Sequence, residues 1–193
     1  MTLDEMYIET AVYADETISK TGEAYAGDSL VIVNKFKSAL NEAYRKITKE
    51  RYKLIYSEDI VLDASKQFEL ADLTETFFEL VKVEDADEYE VTAIFKPGEI
   101  VKCPNEASGD TVTVFYYYLP DELSDLDDEP AFPVAAVEHK IMCYYAAFKY
   151  LIVENDQQSR ARAMDWLALW NEGYDSIDRS RGAVETVKNA MGW

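Results

Sequence analysis

The sequence predicts an α+β fold in which N- and C-terminal helices form a helical bundle and a small antiparallel β-sheet is inserted between them. Apolar residues recur at helical spacing in 28–51 and in 133–177. Between these segments, residues 54–119 contain short β-branched and aromatic runs separated by tight turns. With 193 residues, 48% of them hydrophobic, the chain can bury the core that such a fold needs.

Three parts are predicted along the chain. Residues 1–27 form an acidic N-terminal segment with the weak periodicity of one helix, and residues 28–177 form a composite domain. Residues 178–193 form a loose C-terminal tail, because apolar periodicity stops at Ile177. The composite domain comprises the helix 28–51, the β-insertion 54–119 and the helical hairpin 133–177.

The helices are predicted from apolar stripes and from residues that favour helix starts. Asp28 or Ser29 can cap the first helix, and Pro133 and Ser159 can begin the two helices of the hairpin. The stripes are Val33, Phe36, Leu40, Ala43 and Ile47; Val134, Val137, Ile141, Tyr145, Phe148 and Ile152; and Ala163, Leu167, Trp170, Tyr174 and Ile177. Each stripe is expected to face the core.

The β-insertion is predicted as an antiparallel meander, because short turns join successive strands. Its strands are expected near 60–62, 77–83, 89–95, 100–103 and 111–119. The last strand contains Tyr116, Tyr117 and Tyr118. Stacking platforms for single-stranded nucleic acid lie in basic grooves, and this part of the chain is its most acidic. We therefore predict a strand with aromatic residues on both faces, one face against the helices and the other against a neighbouring chain, and Tyr116, Tyr117 and Tyr118 are the candidates for this subunit interface.

The charge is strongly acidic and unevenly distributed. The chain has 38 Asp and Glu against 19 Lys and Arg, for a net charge of −19. This balance disfavours tight binding of a nucleic-acid duplex or of an anionic membrane. Residues 54–130 carry a net charge of −17, whereas residues 35–53 carry +5. The basic segment is interpreted as a solvated face or a surface for an acidic protein partner, with a nucleic-acid patch as the weaker alternative.

Candidate catalytic and metal-binding residues are few. His139 is the chain's one histidine, and we expect it on the helix surface; a small hydrolase using Glu138 and His139 is the weak alternative. Cys103 and Cys143 have no zinc spacing, so we expect buried thiols. The first residues lack the features of a signal peptide, which favours a protein made in a reducing cytoplasm. We predict neither an enzyme nor a cofactor.

An acidic loop precedes the hairpin. Its carboxylates are Asp121, Glu122, Asp125, Asp127, Asp128 and Glu129. The loop lacks the glycine and the twelfth-position glutamate of a calcium-binding EF-hand, so we predict a solvated loop.

The order of elements from Thr76 to Tyr174 resembles a known family. Strand 111–118 leads through Leu119-Pro120 and the acidic loop to the sequence EPAFP, and two helices follow. This order, together with the helix 34–51, is similar to the head-to-tail connector, or neck adaptor, proteins of tailed bacteriophages.

The resemblance implies a non-enzymatic virion protein of the phage neck, assembled in the host cytoplasm. Such adaptors form a homo-oligomeric ring, expected to be dodecameric, that joins the portal protein to tail or nozzle proteins. DNA passes through the ring without specific binding, and the acidic residues would line the channel or simply keep the chain soluble. The portal-binding tail would use Arg179, Arg181, Met191 and Trp193. The alternative is a tail or baseplate protein of the tail-terminator type.

Overall fold

Four α-helices and small antiparallel sheets make up the part of the chain that the computed structural model describes, residues 1–133, 137–154 and 156–177. The α+β class is therefore confirmed. The chain separates into two units. The helical unit contains residues 1–52 and the described residues from Asp121 onward, and the β unit contains residues 53–120.

The first helix, α1, spans Leu3–Ala14 and begins with a capping box. The Thr2 side chain accepts the amide hydrogen of Glu5, and the Glu5 carboxylate accepts that of Thr2, which satisfies two amides at the helix start. After α1, the two-residue strands β1 (Lys20–Thr21) and β2 (Ala24–Tyr25) form a hairpin. The predicted acidic segment 1–27 is thus part of the helical unit.

Helix α2 spans Gly27–Glu50 and buries all five residues of its predicted stripe. The helix starts earlier than predicted, after Ala26, and no side chain caps it. Neither Asp28 nor Ser29 is the cap. The Ser29 hydroxyl instead accepts the amide hydrogen of Ser19 at 3.0 Å, so it fixes the segment that precedes the helix.

Helix α3 spans Lys140–Leu151 and contacts α1, α2 and the following helix. The prediction that it starts at Pro133 is wrong. Residues 133, 137 and 138 are not helical, and the His139 side chain, just before α3, lies 3.1 Å from the carbonyl oxygen of Phe132. Because α3 has neighbours on three sides, its buried surface is wider than the predicted stripe, and Phe148 is only half-buried.

Helix α4 spans Gln157–Ser176. Asp156 caps it, rather than the predicted Ser159: the Asp156 carboxylate accepts the amide hydrogen of Ser159 at 2.7 Å. Four residues of the predicted stripe are buried and the fifth, Leu167, is half-buried. The buried residues are Ala163, Trp170, Tyr174 and Ile177.

The β unit contains two three-stranded antiparallel sheets. In the first, β3 (Leu54–Val61), β8 (Thr111–Tyr118) and β5 (Phe77–Glu84) lie in that order. In the second, the order is β4 (Gln67–Glu69), β7 (Ile100–Lys102) and β6 (Ile94–Lys96). The meander prediction is wrong, because β8 is the last strand along the chain and lies between the first sheet's other two.

Both sheets contribute to one apolar core in the β unit. Its buried residues are Leu62, Phe68, Leu73, Val83, Val101, Cys103, Val112, Val114 and Tyr116. The predicted strand 89–95 is only partly formed: Glu90 makes a single bridge with Glu84, and β6 begins at Ile94. Tyr89 is 71% exposed.

Candidate functional site

The acidic loop 121–129 is fixed to the helical unit by its backbone. The buried side chain of Asn41 in α2 donates to the carbonyl oxygen of Leu123 at 3.0 Å and accepts its amide hydrogen at 2.8 Å. The carbonyl oxygens of Leu126 and Asp128 accept the amide hydrogens of Asp4 and Leu3 at 3.0 and 2.8 Å. These bonds satisfy amides at the start of α1 that have no partner within the helix.

One of the loop's carboxylates supports the loop itself. Asp128 accepts the amide hydrogens of Ser124 and Asp125 at 2.6 and 2.8 Å, and these bonds lower the pKa of its carboxyl group. The other five carboxylates are exposed, namely Asp121, Glu122, Asp125, Asp127 and Glu129. The loop therefore combines a defined backbone with an acidic surface. Within the described residues, no group of His, Cys, Asp or Glu is placed to hold a metal ion.

A groove of about 670 Å³ runs along α2 beside this loop. We name it the basic groove; its charged lining residues are Lys37, Glu42, Arg45, Lys46, Lys49, Glu50 and Glu122. Arg45 and Glu122 form an ion pair at 3.2 Å, and Lys37 donates to the carbonyl oxygen of Ser124 at 3.1 Å. The groove thus contains four of the seven cations of the 35–53 segment, and two of them, Lys37 and Arg45, contact the acidic loop.

The three tyrosines of β8 differ in exposure. Tyr116 is fully buried in the core of the β unit, where its hydroxyl donates to Glu58 and accepts the amide hydrogen of Glu75 at 3.1 Å. This burial corrects the interface prediction for Tyr116. Tyr117 and Tyr118 are half-exposed, and for them the interface remains a prediction.

Tyrosine hydroxyls repeatedly bind carboxylates in both units, a pattern that the sequence analysis missed. The pairs are Tyr13–Glu9, Tyr25–Asp4, Tyr116–Glu58, Tyr145–Glu42, Tyr150–Glu16 and Tyr174–Glu50. Burial, and secondarily these bonds, raise the pKa of each phenol, to about 12 for Tyr174. The available signal was the combination of 14 tyrosines with twice as many acids as bases.

The histidine is not a surface residue, contrary to our prediction. His139 is 2% exposed, and its Nε2 donates to the carbonyl oxygen of Phe132. Its Nδ1 lies 2.9 Å from the backbone nitrogen of Met1. Burial lowers the pKa of the imidazole. Both ring nitrogens of His139 are therefore committed to structural bonds, whereas Glu138 is exposed.

Both cysteines are free and buried, as predicted. Burial raises the pKa of both thiols, to about 12 for Cys143, which keeps them protonated and unreactive.

The proposed tail residues Arg179, Arg181, Met191 and Trp193 lie outside the described residues. Among the helices that are described, none is long and apolar enough to cross a membrane.

The chain thus combines an α+β fold and charged surfaces with a histidine and two cysteines that lie in the interior. A comparison with protein families supplies the particular class. The model of the SU10 adaptor protein family matches residues 1–189. The chain therefore belongs to the SU10 adaptor protein family, which is consistent with a phage head-tail adaptor and confirms the resemblance. A search of curated proteins found no match.

Proposed function

We propose that this protein is a ring-forming, non-enzymatic adaptor of the phage neck that joins the portal vertex of the head to the tail. The observation that carries the proposal is the family match over residues 1–189. The order of strand β8, acidic loop and two helices supports it, because neck adaptors have this order. Portal protein on one side and tail or nozzle proteins on the other would be the partners.

Electron microscopy of the purified protein mixed with portal protein tests this proposal. We expect closed rings, with twelve copies by resemblance, attached to the portal. A protein that binds tail subunits but not the portal would instead favour the tail-terminator alternative. A protein that binds neither and remains monomeric would contradict the adaptor role.

We further propose that the exposed carboxylates of the acidic loop line the channel through which DNA passes. Carboxylates repel phosphates, so DNA can move past them without being held. The defined backbone of the loop supports this role, because it keeps the carboxylates at fixed positions. The protein should therefore not retain duplex DNA at low salt. Micromolar binding that weakens as salt is added would contradict this proposal.

The C-terminal tail is proposed to bind the portal through Arg179, Arg181, Met191 and Trp193. Its sequence supports this role, because it contains Arg and Trp, two residue types that are favoured anchors at protein interfaces. Deletion of residues 182–193 should abolish portal binding and leave the circular dichroism spectrum and the unfolding temperature unchanged. Unchanged portal binding after the deletion would contradict the proposal.

A further inference from the structure

The basic groove has four cations, Lys37, Arg45, Lys46 and Lys49, against three acids, and one of these acids is already paired with Lys149 from outside the groove. Glu42 already accepts hydrogen bonds from Tyr145 and Lys149, and Glu50 accepts one from Tyr174. Among the cations, Lys46 lies over the ring of Tyr174 at 5.2 Å, and Lys49 is exposed and forms no ion pair with any described residue. The groove can therefore accept additional carboxylates.

The β unit offers a complementary surface. Residues 53–120 carry a net charge of −10, and the turn after β5 concentrates four acids within six residues. We call this turn, Asp85–Glu90, the acidic tip. Asp85, Asp87, Glu88 and Glu90 carry its charge, and Tyr89 projects from it with 71% of its surface exposed.

The acidic tip has a defined backbone. The Asp85 carboxylate accepts the amide hydrogens of Asp87 and Tyr89, each at 2.9 Å. The amide of Asp85 in turn donates to the carbonyl oxygen of Tyr89 at 2.9 Å. A turn that is already ordered loses little conformational entropy when it binds, and an exposed tyrosine is a favourable anchor for an interface.

We propose that the acidic tip of one copy docks into the basic groove of α2 in a second copy. Opposite charge brings the two surfaces together, and Tyr89 provides apolar area once they meet. The two surfaces differ, so the contact is head-to-tail, and repetition of such a contact closes a ring or extends a filament. The inference rests on the proposed homo-oligomeric function and names the surfaces that would form it.

Two single charge reversals test the contact. Lys49→Glu reverses a charge in the groove, and Glu90→Lys reverses one in the tip. Each variant alone places like charges opposite each other and should weaken self-association at least tenfold, as measured by sedimentation velocity over a range of protein concentrations. Self-association of the unaltered protein should also weaken as salt is added, because salt screens the charges.

Mixing the two variants gives the sharpest result. In an equimolar mixture, the reversed groove meets the reversed tip, and the unaltered groove meets the unaltered tip. Alternating copies therefore have matched charges at every contact, and assembly should return to within about twofold of the unaltered protein. Matched controls are Lys96→Glu and Asp165→Lys, which reverse exposed charges outside both surfaces and should change nothing.

The outcomes separate this inference from the proposed function. If the unaltered protein forms rings and both variants do so equally well, the docking is wrong and the ring stands. If the unaltered protein stays monomeric at every concentration, the homo-oligomeric function fails and the docking fails with it. If the equimolar mixture of the two variants did not regain self-association, the docking would be overturned. The docking would also be overturned if the unaltered protein bound duplex DNA and Lys49→Glu abolished that binding. Circular dichroism confirms that each variant is folded.

Discussion

Gly173 in α4 lies directly against the side chain of Ile141 in α3. A Cβ atom on Gly173 would lie 2.8 Å from Cγ1 and 2.9 Å from Cδ1 of Ile141, well inside van der Waals contact. Glycine weakens a helix relative to alanine, so its presence inside α4 is explained by this contact rather than by the helix. The absence of a side chain at position 173 lets the two helices approach each other.

Gly173→Ala should destabilise the protein. The added methyl group must displace the buried Ile141, which costs about 1–3 kcal/mol, and the better helix propensity of alanine returns about 1 kcal/mol. We expect the free energy of unfolding, measured with urea, to fall by about 1 kcal/mol. In an Ile141→Ala background the clash is absent, so the same change should stabilise by about 1 kcal/mol. Equal effects in both backgrounds would contradict the contact.

Trp170 is fully buried in the core, whereas the Phe148 side chain is only half-buried. Trp170 is 1% exposed, and its ring lies 4.9 Å from that of Tyr145 and 5.0 Å from that of Tyr174. Trp170→Ala should lower the free energy of unfolding by about 3–5 kcal/mol. Phe148→Ala is the matched comparison and should lower it by about 1–2 kcal/mol, because only half of the side chain is buried. A larger loss for Phe148→Ala than for Trp170→Ala would contradict this assignment.

The sequence predicts helices well where one face is buried and poorly where several are. All five apolar residues of the α2 stripe, from Val33 to Ile47, are buried, and the opposite face of this helix is exposed. The buried face therefore coincides with the apolar stripe of the sequence. Helix α3 has neighbours on three sides, so its apolar residues are spread around the helix instead of forming one stripe. Its start was misplaced for a different reason. Pro133 is a favourable first helical residue, but it is not helical, and α3 begins only at Lys140, after the His139 side chain has bonded to the carbonyl oxygen of Phe132.

Strand pairing and the candidate site depend on contacts that sequence spacing does not encode. Alternation identified β8 as a strand, yet its position between β3 and β5 follows from tertiary packing. The acidic loop was predicted from its composition alone. Its anchor, Asn41, lies 82 residues away along the chain, next to Leu40 of the apolar stripe. The burial of Asn41 and its bonds to Leu123 are visible only in the structure, so the sequence could not identify this anchor.

Asn41→Ala should release the acidic loop. The substitution leaves the amide and the carbonyl group of Leu123 buried without their partner, which costs about 1–3 kcal/mol. Hydrogen exchange of the Leu123 amide should accelerate by a factor that corresponds to this loss. Ser38→Ala changes an exposed residue of the same helix and should leave the exchange rate unaltered. Unchanged protection of Leu123 in Asn41→Ala would show that other contacts hold the loop.

The raised phenol pKa values of the paired tyrosines should leave the stability of the folded protein unaffected below about pH 10 and lower it above that pH. Burial and the bonds to carboxylates raise the phenol pKa values above the value near 10 of an unfolded chain, to about 12 for Tyr174. A group whose pKa is raised by folding stabilises the folded state fully below its unfolded pKa. That contribution is then lost as pH rises from about 10 through the folded pKa. The alkaline stability limit should therefore lie above pH 10.

Ultraviolet absorbance of phenolate at pH about 11 measures how far the folded state delays ionisation of these tyrosines, because unfolded tyrosines are mostly ionised there. The folded protein should keep its paired tyrosines neutral, and they should ionise only when circular dichroism reports unfolding. Tyr145→Phe removes the hydroxyl that donates to Glu42, so it should reduce the number of late-ionising groups by one and leave the others unchanged. If instead all phenols ionised together near pH 10 in protein that is still folded, the carboxylate bonds could not be protecting them.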